Sequence, residues 1–352
     1  MAKRVLITGA GGFIGGFIVA EALNRGYETW AAVRKSTSRK YLTDERINFI
    51  ELDFSDAAIF RSQMADAIAV NGKWDFVVHN LGATKCNNFN DFNSINYGYM
   101  KLLVDTLTSL DAVPERFLLM SSLSAVGPGD EDSYTPMSTR DIPHPNTRYG
   151  LSKMKAETYL STRPGFPYII FRPTGVYGPH EKDYFMMMKS IKRGFDFSVG
   201  FRRQMLTLIY VTDLADAIFD ALESNAARKT YIIAEPRAYS QDEFRKIVAE
   251  KLHKRFVIPI KVPIWMLYVV SFLAELWGTI TLKPSTLNRD KFKIMRQRNW
   301  CCDVSDAIND FGFCPNTPSH KVFRTLSTGI RKTNGFKREK HMHFRGIKPC
   351  NS

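Results

Sequence analysis

Metal-ligand spacing is missing from this sequence. Its five cysteines, Cys86, Cys301, Cys302, Cys314 and Cys350, are scattered and odd in number. They make no Cys-x-x-Cys or Cys/His pattern that would hold a metal, and no even framework of disulfides. No metal is therefore expected, and the adjacent Cys301-Cys302 reads as two packing residues. A charged-then-apolar leader is missing too, since Val5-Leu6-Ile7 runs directly into a glycine-rich turn. These absences point to a reducing, cytoplasmic setting. No internal repeat is found, and no nucleic-acid-binding module, so DNA and RNA are not expected partners.

What is present is an ordinary globular balance, 44% hydrophobic and 24% charged, which excludes a disordered chain. The net charge is +14, from 49 basic and 35 acidic residues. Such an excess suits an anionic cofactor, an anionic substrate or an anionic membrane face.

The first half alternates short apolar runs with helical stretches, the pattern of a parallel sheet covered by helices. Strands are predicted at 4–8, 29–33, 48–52, 76–80, 117–121 and 168–171, with helices such as 12–24 and 97–110 between them. Beyond Pro173 the rhythm changes: 206–211 and 230–234 read as strands, 214–223 and 241–252 as helices. The expected fold is α/β: a Rossmann-type doubly wound parallel sheet over 1–173, with later strands added from 206–234. A smaller mixed C-terminal substrate lobe follows over 174–330, then a basic tail over 331–352.

Residues 264–282 form an apolar run interrupted by Glu275 and Gly278 and bracketed by Pro263 and Pro284. Its length approaches the ~20 residues of a membrane span. It reads as a helix roofing a pocket or packing in the lobe, or as an interfacial helix dipping into a bilayer; Glu275 argues against a span. Lys283, Arg289, Lys291, Lys293, Arg296 and Arg298 follow it, and the tail adds Arg331, Lys332, Lys337, Arg338, Lys340, Arg345 and Lys348. Basic residues beside an apolar helix can hold an anionic lipid surface, so peripheral membrane contact at the cytoplasmic face is among the expectations.

Chemistry enters at the first turn. In Thr8-Gly9-Ala10-Gly11-Gly12-Phe13-Ile14-Gly15 a strand precedes three spaced glycines and a helix follows them. Gly9 permits the turn, Gly12 lets the backbone approach a pyrophosphate, and Gly15 allows close packing of helix on strand. Phe13 and Ile14 open the helix, whose N–H groups and partial positive charge suit phosphates. At the end of the second strand an acid would accept from a free ribose, as in NAD sites. Here Arg34 and Lys35 stand instead, with Arg39 and Lys40 beyond, and cations there meet a 2′-phosphate. NADP(H) is preferred; NAD(H) stays open, because Arg34 could simply lie on the adenine face.

Tyr149 and Lys153 are four residues apart, on one face of a helix. A phenol with its usual pKa near ~10 is a poor base at neutral pH, and a nearby ammonium favours its phenolate. Tyr149 can then exchange a proton with an alcohol or carbonyl as hydride moves. Upstream, Phe117-Leu118-Leu119-Met120-Ser121-Ser122-Leu123-Ser124 reads as a strand ending in hydroxyls at the ligand edge of the sheet.

The glycine spacing, the hydroxyl-ended strand, the Tyr-x-x-x-Lys pair and Arg172-Pro173-Thr174-Gly175-Val176-Tyr177-Gly178-Pro179 resemble the extended short-chain dehydrogenases, the NAD-dependent epimerase/dehydratase family. The resemblance runs from about residue 4 to 213, and more loosely to about 315. It implies Ser122 as the catalytic hydroxyl, with Ser121 and Ser124 as alternatives. It implies Asp53 on the adenine, Leu81-Gly82-Ala83 beneath the cofactor ribose, and Pro173 and Val176 lining the nicotinamide pocket. Asn96 matches the asparagine that supports the active-site helix, although it could equally cap a turn. His79 reads as a packed, hydrogen-bonded group. Homodimers through the helices flanking the serine segment are common in the family.

Nucleotide-sugar members carry an Arg-Asp pair before the strand that ends in Val-x-Asp; here Leu206-Thr207 stands there. That form looks more like the 3β-hydroxysteroid dehydrogenase and dihydroflavonol reductase branch. The expectation is an NADP(H)-dependent oxidoreductase that reduces a ketone, or oxidises the matching alcohol, on a bulky lipid-like substrate such as a 3-keto sphingoid base or sterol. A nucleotide-sugar epimerase or dehydratase is the alternative, with Arg202, Arg203 or Arg289 supplying the missing cation. A cofactor-binding regulator without chemistry is a third reading, opposed by the intact Tyr149, Lys153 and serine.

Overall fold

The computed structural model describes residues 2–86, 89–181, 183–281 and 287–315. The expected basic tail, and Lys283 and Pro284, lie outside them.

Seven parallel strands form the central sheet: Arg4–Thr8, Glu28–Val33, Asn48–Glu51, Phe76–His79, Arg116–Met120, Tyr168–Pro173 and Lys229–Ile233. Numbered along the chain, they lie in the order seventh, sixth, fifth, fourth, first, second, third. The strand order therefore reverses between Arg4–Thr8 and Phe76–His79, which pair directly. Such a switch point opens a crevice at the carboxyl ends of the strands. The strand interiors are mostly apolar on both faces because helices cover both. Val5, Ile7, Val78, Leu118 and Phe171 pack into one core, whereas Leu6, Val77, Phe117, Leu119 and Ile170 pack into the other. That alternation is the two-residue period of a strand.

The lobe departs from the expected elements from residue 205 onwards. The single strand predicted at 206–211 is split. Met205–Leu206 pairs with Tyr239–Ser240 and Asn299–Trp300, while Leu208–Tyr210 pairs with Gly175–Tyr177. Thr207 marks the break, buried with its hydroxyl donating to the Trp300 carbonyl at 2.6 Å. The next helix, Val211–Glu223, starts earlier than predicted. Of the later strands, only Lys229–Ile233 joins the main sheet, beside Tyr168–Pro173.

A second two-stranded sheet, Phe195–Val199 with Ile258–Val262, leads into the helix Ile264–Thr281. The sequence leaves this helix to roof a pocket or pack within the lobe, or to lie as an interfacial helix. It packs on the protein only along a narrow stripe, with Leu267 and Ser271 buried and most of its large apolar side chains exposed. Among the described residues, no helix is long and apolar enough to cross a membrane.

Candidate active site

The first strand is followed by Gly9, whose φ of +69° suits glycine, and a side chain there would meet the Asn80 carbonyl at 2.8 Å. At Gly15 a Cβ would fall 2.1 Å from the Gly9 carbonyl oxygen, so only glycine lets the helix sit so close on the turn. That helix, Phe13–Asn24, starts from Gly12 with no side-chain cap and no acid in its first turn. Gly9, Gly11, Gly12, Phe13 and Ile14 line a cleft of about 2000 Å³. Uncapped N–H groups at a helix N-terminus suit a pyrophosphate, so these residues fit a dinucleotide.

Arg34 lines the same cleft, with Ser36, Thr37 and Ser38. Lys35 is exposed and outside the lining, and Arg39 pairs instead with Glu51 at 3.5 Å. Of the four cations expected near the ribose, Arg34 is therefore the one that the cleft wall presents. Asp53 also lines the cleft, its carboxylate accepting from the Ser55 N–H (2.9 Å) and hydroxyl (2.5 Å). These bonds, more than the charge of Arg34, hold it below the usual carboxylate range. Leu81, Gly82, Ala83, Pro173 and Val176 line the cleft as well. Thr174, which sequence reasoning did not single out, lines it with a buried hydroxyl that has no partner among the described residues. His79 is buried beneath, its Nδ1 3.0 Å from the Thr8 hydroxyl; burial, then the charge of Lys153, push it down to about 3. It is a neutral packing group.

Ser122, Tyr149 and Lys153 converge on the cleft. Ser122 follows the fifth strand and caps the turn Leu123–Ala125, its hydroxyl accepting from the Ser124 N–H at 3.2 Å. Tyr149 and Lys153 ride on the helix Arg148–Ser161, which Thr147 caps by accepting from the Gly150 N–H at 3.0 Å. A side chain at Gly150 would lie 2.2 Å from the Ser124 carbonyl oxygen, so this glycine lets the helix abut the serine turn. Buried Lys153 donates to the Met120 carbonyl at 2.7 Å. Desolvation pushes its ammonium down to about 8, with the Glu157 carboxylate opposing. One expectation needs correction. Tyr149 is not shifted towards its phenolate: burial raises its pKa, and a hydrogen bond from Ser122 only partly opposes this.

Asn96 does not line the cleft. It is buried, accepting from the Ala83 N–H at 2.8 Å and donating to the Ala83 carbonyl (3.0 Å) and the Ser152 hydroxyl (2.9 Å). Ser152 in turn donates to the Tyr149 carbonyl at 2.7 Å. Asn96 thereby ties the loop beneath the expected ribose to the helix of Tyr149 and Lys153.

A second buried network was missed. Glu157, one helical turn beyond Lys153, pairs with Arg172 at 2.6 Å and accepts from the Ser121 hydroxyl. The signal was a lone arginine inside an apolar strand, which requires a buried partner. Of the three candidate hydroxyls, Ser121 is thus engaged with Glu157, Ser124 lines the cleft, and Ser122 is the one that hydrogen-bonds Tyr149.

Beyond this centre the cleft runs into the lobe, between Phe195, Phe197, Leu206, Phe244, Met295 and Trp300. Leu206 and Thr207 occupy the position expected of Arg-Asp, and Thr207 is committed to Trp300. Arg202 pairs with Asp132 and Arg289 with Glu275, and neither they nor Arg203 line the cleft. Lys85, Lys189, Arg193 and Lys291 do, Lys85 and Lys291 sharing Asp183.

A family model for the NAD dependent epimerase/dehydratase family matches residues 5–234. A UDP-glucose 4-epimerase of Vibrio cholerae is 25% identical over 343 residues, 95% of this chain and 97% of its own. A decarboxylating sterol-4-alpha-carboxylate 3-dehydrogenase of Dictyostelium discoideum is 22% identical over 329 residues, 88% of this chain and 96% of its own. Among solved structures, the UDP-glucose 4-epimerase of Thermotoga maritima with UDP-glucose gives a TM-score of 0.73 at 18% identity, covering 94% of this chain and 99% of its own. A Bordetella bronchiseptica enzyme in complex with NAD gives 0.73 at 17% identity, covering 94% and 95%. At such identities the structural likeness speaks for the fold, while the family match spans well over half the chain. The chain belongs to the NAD-dependent epimerase/dehydratase family, enzymes of the extended short-chain dehydrogenase type.

Proposed function

We propose that this enzyme uses NADP(H) to reduce a ketone, or oxidise the matching secondary alcohol, on a bulky lipid-like substrate such as a 3-keto sphingoid base or a 3-keto sterol. The observation that carries this reading is the lobe arm of the cleft, walled by Phe195, Phe197, Phe244 and Trp300, with Leu206-Thr207 in place of a phosphate-binding arginine. An apolar wall favours an apolar substrate, and a missing cation removes a bidentate phosphate contact. Arg34 and the hydroxyls of Ser36, Thr37 and Ser38 would meet a 2′-phosphate.

A bound nicotinamide dinucleotide would supply or accept the hydride. Tyr149, a phenol already protonated at neutral pH and held further towards that form by its burial, can give a proton to a carbonyl oxygen. Ser122 would donate to the same oxygen and stabilise charge developing there. The Lys153 ammonium, one helical turn away, would stabilise the phenolate left behind.

The lysines and Arg193 along the same cleft favour a second reading, a nucleotide-sugar epimerase or dehydratase, because they could hold a diphosphate. The likeness to the Vibrio cholerae UDP-glucose 4-epimerase supports it equally. Net cofactor turnover separates the two. Purified protein would be given NADPH or NADH with a panel of lipid ketones and nucleotide-sugars. Stoichiometric NADPH oxidation with a lipid ketone supports the reductase. Conversion of a nucleotide-sugar without net cofactor consumption replaces it with the second reading.

A further inference from the structure

We propose that the outward face of the helix Ile264–Thr281 docks on an anionic lipid bilayer. The helix is inside out. Leu267, Ser271, Glu275 and Gly278, spaced to share one face, turn towards the protein: Leu267 and Ser271 are buried, and Glu275 pairs with Arg289 at 3.0 Å. The remaining surface is apolar and open to solvent. Trp265 is 69% exposed, Trp277 68% and Ile280 68%, with Phe272 and Leu273 between them. A contiguous apolar surface of this kind on a folded protein marks a contact site, because water alone covers it at high cost.

Charge selects the occupant. The segment that leads into the helix carries exposed Lys254, Arg255 and Lys261 beside exposed Phe256 and Ile258. Cations bordering an apolar, tryptophan-bearing helix complement anionic headgroups above an acyl boundary. A second copy of a chain with net charge +14 would instead bring like charges together. The helix would lie along the interface, sunk by about 5–10 Å. No described helix is long and apolar enough to cross. Ile258, on the strand that leads into the helix, is also in register with Phe195, which lines the cleft. Docking does not depend on the substrate reading, since its evidence is the surface alone.

The test uses the full chain with vesicles of phosphatidylcholine and phosphatidylserine in equal parts, and with phosphatidylcholine alone. Co-sedimentation with the mixed vesicles, accompanied by a blue shift of tryptophan emission, is expected. Binding to phosphatidylcholine alone should be weaker by at least about tenfold. The double variant Trp265→Glu/Trp277→Glu should lose at least about tenfold of the mixed-vesicle binding while still binding NADPH. Failure to sediment with either vesicle overturns the proposal. So does a solution dimer, measured by light scattering, that this variant dissociates and that binds no vesicle: the face would then join two copies of the chain.

Discussion

Replacing Lys153 with methionine should stabilise the protein at neutral pH even as it removes turnover. Lys153 is buried, and desolvation moves its ammonium from 10.5 to about 8. At ~1.4 kcal/mol for each tenfold, that difference is a penalty of roughly 3 kcal/mol on the folded protein. Methionine removes the penalty and keeps the apolar stem, but strips the Met120 carbonyl of its donor, which costs ~1–2 kcal/mol. The variant should therefore be more stable by about 1–2 kcal/mol. The sign with pH follows from linkage. The penalty is complete below the folded value near 8, shrinks as pH rises, and vanishes above the unfolded value of 10.5. Wild type should gain on the variant through that window, because its unfolded chain binds the extra proton. Urea unfolding of both cofactor-free proteins at about pH 7 and about pH 10 reads the difference directly. A variant no more stable than wild type at neutral pH, or a difference that pH does not change, would refute the account of a desolvated ammonium.

Tyr149→Phe should lower kcat by ~10²- to 10⁴-fold with cofactor affinity little changed; fluorescence titration with NADPH separates the two effects, and loss of binding alone would count against a proton-transfer role. Arg34→Ala should weaken NADPH binding by ~10- to 100-fold and leave NADH unaffected; equal effects on both would place Arg34 on the adenine instead. Glu157→Leu should cost ~3–5 kcal/mol by leaving Arg172 buried without its carboxylate, and adding Arg172→Met should recover most of that. Unfolding midpoints test this pair, and a double variant as weak as the single one would show that the two side chains are not coupled.

The parallel sheet and the glycine turn were readable because their signals are local: short apolar runs alternating with helical stretches, and glycines at fixed offsets. Tyr149 and Lys153 were readable for the same reason, being one turn apart on one helix. Three features were not. Glu157 and Arg172 belong to different elements, and only folding shows that each is the other's partner. Thr207 splits a strand by bonding a carbonyl far along the chain, which no local pattern reports. Finally, composition cannot say which way an apolar helix faces. Ile264–Thr281 has few polar residues to mark a stripe, and its inward face shows only in the burial of Leu267 and Ser271 and the pairing of Glu275 with Arg289.

The seventh strand carries a consequence for how the chain reaches its fold. Lys229–Ile233 pairs with Tyr168–Pro173 only after the intervening segment has left the sheet, built part of the lobe and returned. On a ribosome delivering the N-terminus first, Tyr168–Pro173 is therefore an open edge for as long as that segment takes to emerge, with its backbone donors and acceptors available to other chains. The helix Val211–Glu223 emerges before the closing strand and packs into the core that Phe13–Asn24 shares. Sheet and lobe must then mature together, and a chain stopped at residue 228 would keep both the dinucleotide turn and the Tyr-Lys helix on a scaffold whose edge is never sealed.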